Sequence, residues 1–222
     1  MNKGLIVALG VISVVYANNA FCLTGEEFFQ MLEKRYRWDK IRDMDIVGVV
    51  YVTMEKGLSP FQKVRVMLKG KDKVRIVTRI MDTDLETIVI KNGDHVWMSS
   101  PFGEFEEISL SSEQEEGFFS YYYGILKRRR MEIEEETNDF YIVHIEPGIT
   151  GWIDKKDLLL RKLRDKKRNF TTLLLDYRER NGFWYPCKII TEDENGVVVF
   201  KIEVKTIKFN SGISDKAFGI PF

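Results

Sequence analysis

Cysteine and histidine are scarce in this chain, and each scarcity closes off a class of function. The two cysteines, Cys22 and Cys187, are too few for a disulfide-stapled scaffold or a paired CxxC zinc site. One bridge between them is conceivable in an oxidising compartment, and the sequence leaves their pairing open, because it does not give the distance between their Cα atoms. The two histidines, His95 and His144, each fall inside a predicted strand among apolar neighbours. A hydrolytic triad has little to be built from, since most versions need a histidine base. HExxH, GxSxG and P-loop signatures are absent. Asp82, Asp84 and Glu86 come nearest to a carboxylate cluster, but Met81 and Leu85 flank them, and they read as a solvated turn rather than a calcium site. No catalytic residue, metal ligand or cofactor is assigned, and the chain reads as non-enzymatic.

An excess of charge is also missing. Lys and Arg number 34 against 34 Asp and Glu, whereas a nucleic-acid binder usually carries a basic excess or a basic face. The basic cluster Lys127-Arg128-Arg129-Arg130 is followed at once by Glu132, Glu134, Glu135 and Glu136, which reads as a self-compensating surface. Pro/Ser linkers, repeats and low-complexity stretches are absent, so one domain is expected.

The single long apolar run stands at the start. Met1-Asn2-Lys3 is a short basic lead, residues 4–16 are uncharged and mostly apolar, and the small Ala17 follows. That is the pattern of a secretory signal peptide over 1–17. The run falls short of the roughly 20 apolar residues that a membrane-spanning helix needs. Cleavage after Ala17 fits best and after Ala20 second best. Bulky Phe21 directly before Cys22 argues against lipidation there. The expectation is an exported chain, soluble after cleavage, with one domain over 18–222.

What the chain has in plenty is strand signal and aromatic side chains. Thr24-Gly25-Glu26-Glu27 opens an amphipathic helix with a capping box, and Phe28, Leu32 and Tyr36 lie on one face. Alternating or β-branched stretches follow at 45–55, 62–69, 73–80, 85–91 and 95–99, with Gly48 marking a bend, Ser59-Pro60 a break and Asn92-Gly93-Asp94 a hairpin turn. Residues 113–130 differ: acidic at the start, aromatic in the middle and basic at the end, they read as a short helix or helix pair. Strands resume at 140–146, 150–154, 158–164, 170–178, 185–192 and 197–209. A helix over 154–167 is the alternative there, since Leu159 and Leu163 are four apart. The fold class is therefore α+β: a strongly curved antiparallel sheet, an unclosed β-barrel of about 10–11 strands, with helices covering the concave side.

Aromatic residues make up 13% of the chain. Most must fill a core. A sheet curled around helices that fill it poorly also leaves an apolar cavity, which suits lipid acyl chains, because each buried CH₂ yields about 0.8 kcal/mol without any polar partner. Alternation assigns Val64, Val66, Leu68, Val74, Ile76 and Ile80 to the cavity wall, with Trp97 and Met98. Phe118, Phe119 and Tyr122 are the expected lid contacts.

Five segments, in order, resemble the outer-membrane lipoprotein-sorting family of LolA/LolB-type periplasmic carriers. Thr24-Gly25-Glu26-Glu27-Phe28 follows the leader like the family's opening helix. Asn92-Gly93-Asp94-His95-Val96-Trp97-Met98 with Pro101 is similar to its central hairpin. Gly151-Trp152-Ile153-Asp154-Lys155 resembles the strand after the middle helices, and Trp184-Tyr185-Pro186 the opening of a late strand. Asn210-Ser211-Gly212-Ile213-Ser214-Asp215-Lys216-Ala217-Phe218 is similar to the closing signature. Glu116-Gly117-Phe118-Phe119-Ser120-Tyr121 departs from the Ser-Asp-Phe-Ser-like segment often found there. The resemblance implies an unclosed barrel with a helical lid over a hydrophobic cavity, in a monomeric periplasmic protein that carries lipid or lipoprotein acyl chains toward the outer membrane. An inner-membrane transporter or an outer-membrane acceptor would be its partner, with no nucleic acid. The alternative is an envelope-stress sensing or regulatory domain of the same fold that grips a membrane protein.

Overall fold

A computed structural model describes residues 24–55, 57–99, 101, 103–108, 131–146 and 148–220. They open with helix α1 (Gly25–Tyr36), and the capping box is formed in full. The Glu27 N–H donates to Thr24 Oγ1 at 3.2 Å, and the Thr24 N–H donates to the Glu27 carboxylate at 2.9 Å. These bonds use donors that a helix start otherwise leaves open. Arg37 ends the helix in the left-handed conformation, φ 51°, and a 3-10 turn, Trp38–Lys40, leads into the sheet.

Thirteen strands follow: β1 (Asp43–Met54), β2 (Gly57–Lys69), β3 (Lys73–Ile80), β4 (Glu86–Asn92), β5 (His95–Ser99), β6 (Phe105–Glu107), β7 (Glu132–Glu136), β8 (Phe140–Glu146), β9 (Ile149–Asp154), β10 (Leu160–Asp165), β11 (Phe170–Arg180), β12 (Phe183–Glu192) and β13 (Val198–Phe209). They form one antiparallel sheet in the order β6-β5-β4-β3-β2-β1-β13-β12-β11-β10-β9-β8-β7. Strands consecutive in sequence pair with each other except β6 and β7, which stand at opposite edges, and β1–β13 is the single joint between distant parts of the chain. The sheet is curved and open, and both its free edges flank residues 109–130, which lie outside the described set together with the expected helical segment there.

The strand number exceeds the expected 10–11, and β6 and β7 account for the excess. The sequence pattern marked 132–136 as charged surface, yet Glu132-Ile133-Glu134-Glu135-Glu136 is the edge strand β7. At the opposite edge β6 carries Glu106 and Glu107. An edge strand need not bury an alternating apolar face, and its charges keep other chains from pairing with it. Ser59-Pro60 likewise lies within β2 instead of breaking it. Tyr51 pairs with Pro60 and Val50 with Gln62, so Phe61 bulges out, and a bulge is where a strand tolerates a residue with no N–H. The helix alternative for 154–167 gives way to the β9–β10 hairpin. Among the described residues α1 is the one α-helix, so the domain is mostly β.

The core lies between α1 and one face of the sheet. Phe28, Leu32 and Tyr36 pack with Met44 and Ile46 of β1, Val143 and Ile145 of β8, Ile153 of β9, Leu160 and Leu163 of β10, Leu174 of β11, and Ile207 and Phe209 of β13. Gly48 sits where the β1–β13 register slips, between Val47 and Gly48. A Cβ there would stand 3.0 Å from the Glu203 carbonyl oxygen.

The closing signature is a strap over the other face. Asp43 is buried, and its carboxylate accepts the Ser211 N–H at 2.7 Å, the Ser211 hydroxyl at 3.0 Å and the Gly212 N–H at 3.1 Å. Lys73 pairs with Asp215 at 2.8 Å, and Arg75 Nη1 donates to the Ala217 carbonyl at 3.1 Å. The 3-10 turn Asp215–Phe218 thus packs on β3 and β4, with Phe218 fully buried.

Candidate functional site

Registers across β13, β1, β2, β3, β4 and β5 divide the sheet into two chemically different faces. One rung runs Ile207, Ile46, Val66, Ile76, Val89, Met98, and the next runs Phe209, Met44, Leu68, Val74, Lys91, Val96. Two further rungs carry Val64, Thr78 and Thr87, then Gln62 and Ile80. Residues directly opposite in an antiparallel pair share a face, and Ile46, Val66 and Ile207 place this one on the side of α1. On β2 to β5 it is apolar apart from Gln62, Thr78, Thr87 and Lys91.

The opposite face carries charged pairs around the buried Met67 and Ile90. Asp45 takes a two-pronged pair from Arg65, with both N–O distances 2.9 Å. Glu203 accepts from Lys201 at 2.8 Å, from Lys205 at 2.6 Å and from the Tyr51 hydroxyl at 3.1 Å. Those donors, Lys201 first, hold its carboxyl down to about 2. Arg79 pairs with Glu86.

Val64, Val66, Leu68, Val74, Ile76 and Ile80 all lie on the α1 side. Val66 is buried, and Val64, Leu68 and Ile76 pack against the core. Trp97 and Met98 cannot both join them, because adjacent strand residues point to opposite faces. Met98 shares the rung of Ile76 and is exposed, whereas Trp97 lies opposite Ile90 on the charged face. Trp97 is therefore corrected out of the apolar wall; there it stacks on His95, with ring centroids 5.5 Å apart. Val89 and Val96 belong to the apolar face, and the alternation of 85–91 and 95–99 held the signal for both. The lid residues Phe118, Phe119 and Tyr122, and Cys22, fall outside the described residues.

α1 covers only part of this face. Its 12 residues span about 18 Å, whereas 13 strands at about 4.8 Å spacing run to roughly 55–60 Å. The core of α1 centres on β8 to β13 and β1, so the wall of β3 to β5 extends beyond the helix. Such a surface can hold an apolar chain by area alone.

The titratable groups nearby do not change this picture. His95 is exposed on the charged face, and its Nδ1 lies 2.6 Å from a Glu107 oxygen; that hydrogen bond raises its pKa. Cys187 is half-buried, and burial pushes its thiol up. Among the described residues no group of three or more His, Cys, Asp or Glu could hold a metal ion, and no helix is long and apolar enough to cross a membrane.

No protein-family model matches the sequence, and no curated protein is significantly similar to it. Solved structures are. A DUF1329 family protein from Desulfovibrio piger superposes with a TM-score of 0.62 at 16% identity, over 88% of this chain and 95% of that one. A domain described as an outer membrane lipoprotein-sorting protein, from Vibrio parahaemolyticus, gives 0.60 at 16%, over 87% and 95%. A LolA superfamily protein from Nitrosomonas europaea gives 0.60 at 15%, over 89% and 98%. At such identities the likeness is one of architecture: this chain has the curved, open antiparallel sheet of LolA-like and outer-membrane lipoprotein-sorting domains.

Proposed function

We propose that the protein is a periplasmic carrier that binds lipid or lipoprotein acyl chains against the apolar face of β2 to β5 and moves them toward the outer membrane. The observation that carries this reading is the contiguous wall Val64, Val66, Leu68, Val74, Ile76, Ile80, Val89 and Met98, which extends beyond the reach of α1. Each methylene laid on such a wall contributes about 0.8 kcal/mol. No polar contact is needed, which suits cargo whose headgroups vary. In this reading Phe118, Phe119 and Tyr122 close over the chain, and residues 1–17 direct export. The carrier works as a monomer and exchanges cargo with an inner-membrane transporter or an outer-membrane acceptor.

The test is extraction of native ligand from protein produced in its own host, followed by mass spectrometry, together with titration of a fluorescent fatty acid. Co-purified acyl lipid and saturable probe binding are expected. Protein that carries no lipid and binds no probe would remove the reading.

A second reading, a regulatory domain that grips a membrane protein, has one observation in its favour. Met54, Leu58, Leu85, Val197 and Val199 are exposed. All five stand at the same end of the sheet, at or beside the β1–β2, β3–β4 and β12–β13 hairpin tips, among the acidic residues Glu55, Asp82, Asp84, Asp193 and Glu194. Site-specific cross-linking from Leu58 in the native envelope separates the two readings. A single membrane protein, captured in lipid-free preparations as well, favours regulation; lipoproteins favour transport.

A further inference from the structure

At the other end of the sheet lies a polar pocket of about 580 Å³ whose walls include Arg37, Lys40, Arg42, Asn181 and Asn210, with Phe183 and Phe209 beneath. It forms where the turn after α1, the β11–β12 hairpin tip and the end of β13 meet. Its charge is unbalanced. Asp39 is the one carboxylate among its lining residues, and it pairs with Lys40 at 2.8 Å. Among the described residues, Arg37 and Arg42 have no carboxylate within ion-pair distance. Glu179, on the hairpin tip, is turned to the Gly182 N–H at 3.0 Å. Asp43, beneath the turn, is engaged by Ser211 and Gly212. Two guanidinium charges therefore remain uncompensated.

The backbone that carries two of these cations is also held in place. Asn210 Oδ1 accepts the Arg42 N–H at 2.7 Å, and its Nδ2 donates to the Lys40 carbonyl at 3.0 Å, which pins the backbone that carries both residues. The Arg37 guanidinium lies 5.6 Å from the Phe183 ring centroid. It occupies the space above Gly182, where φ is 80° and any Cβ would collide with it. Like charges gathered on a fixed turn repel one another, an arrangement that becomes favourable when an anion sits between them.

We propose that this pocket is a binding site for a phosphate group, as the free ion or on the headgroup of an amphiphile. Each guanidinium presents five N–H donors in a planar fork, and the two asparagines add amide donors. That is more than one carboxylate can accept, and it fits the three or four oxygens of a phosphate. The two uncompensated charges match a phosphomonoester, which carries about −1.5 to −2 at pH 7. Phe183 and Phe209 belong to the core that continues into the apolar face, so an amphiphile could place its phosphate here and its chains along that face. The headgroup form of the proposal rests on the carrier reading; the anion site does not.

Calorimetry on the full exported chain decides it, with three probes: inorganic phosphate, dihexanoyl phosphatidic acid below its micelle concentration, and dihexanoyl phosphatidylcholine. Phosphatidic acid is expected to bind at least tenfold more weakly after Arg42→Gln and after Asn181→Asp, with affinity falling as salt rises. Asn181→Asp keeps a residue type that tolerates its left-handed backbone, and thermal melts check that both variants fold. If inorganic phosphate binds as tightly as phosphatidic acid, the site serves the free ion; if phosphatidic acid alone binds, it serves a headgroup. Equal affinities for wild type and both variants, or no binding of either phosphate probe, overturn the site. Binding of the uncharged fluorophore N-phenylnaphthylamine reports the apolar face separately. Its loss with phosphate binding intact would count against the carrier reading and not against this pocket.

Discussion

The hydroxyl of Tyr36, at the end of α1, accepts the backbone N–H of Leu160 at 2.8 Å across 124 residues of sequence. On the same residue the Leu160 carbonyl accepts the Tyr177 hydroxyl at 2.6 Å. Leu160 stands at the register slip between β9 and β10, where a bulge disturbs the ladder, and two tyrosines satisfy its polar groups inside the core. Tyr36→Phe should therefore cost about 1–3 kcal/mol, the penalty of a buried donor left unpaired. Urea unfolding measures it, and a shift near zero would mean that water replaces the hydroxyl.

Gly151 on β9 is a packing position. A Cβ there would lie 2.9 Å from Ile145 Cδ1 and 3.2 Å from both Leu160 Cδ1 and Val143 Cγ2, all on buried side chains. Gly151→Ala is expected to destabilise by about 1–3 kcal/mol through overpacking, read as a lower thermal midpoint.

Glu203 gives the outer face a pH signature. Its folded pKa of about 2 lies below the unfolded value near 4.3. Its contribution is thus present above that value and is lost as pH falls from there through 2. Lys205 is half exposed, which limits the size of the effect. Glu203→Gln should cost about 1 kcal/mol at neutral pH and only a small part of that near pH 2, measured by urea unfolding at the two values.

His95 titrates with the opposite sign. Its hydrogen bond to Glu107 raises the pKa, so the favourable pairing across β5 and β6 is full below about 6.5 and fades as pH rises through the folded value. A proton NMR titration should place His95 above 6.5, and Glu107→Gln should bring it back toward 6.5. Equal curves would show that the pair does not persist in solution.

Met98→Glu tests the apolar wall without emptying the core. Met98 is exposed on the α1 side, on the rung of Ile76, so stability should change by less than about 0.5 kcal/mol. Affinity for the fluorescent fatty acid should fall at least fivefold, since a charge would sit in the path of the chain. The control Glu86→Gln, on the opposite face where it pairs with Arg79, should leave probe binding as it is.

Much of this fold was legible in residue order. The capping box of Thr24 and Glu27, and the period-two pattern of β2 and β3, express forces acting within one element, so they survive any tertiary context. Parity followed from the same period: Val64 to Ile80 lie on one face as the alternation required. Where alternation was not the governing force, the pattern misled. Edge strands β6 and β7 carry glutamates because they must repel partners. Pro60 sits at a bulge that only the pairing with Tyr51 reveals. Trp97 looked like part of an apolar wall, yet its neighbour Met98 took that side.

By itself, then, the sequence determined a strand-rich chain opened by a capped helix, because period and caps are local properties. Tertiary structure alone decided the β1–β13 joint, the strap of Phe218 over β3 and β4, and the meeting of Arg37 and Arg42 with Asn181 and Asn210. Those contacts join residues far apart in the chain, and their energies depend on distances that only the assembled ladder of hydrogen bonds sets.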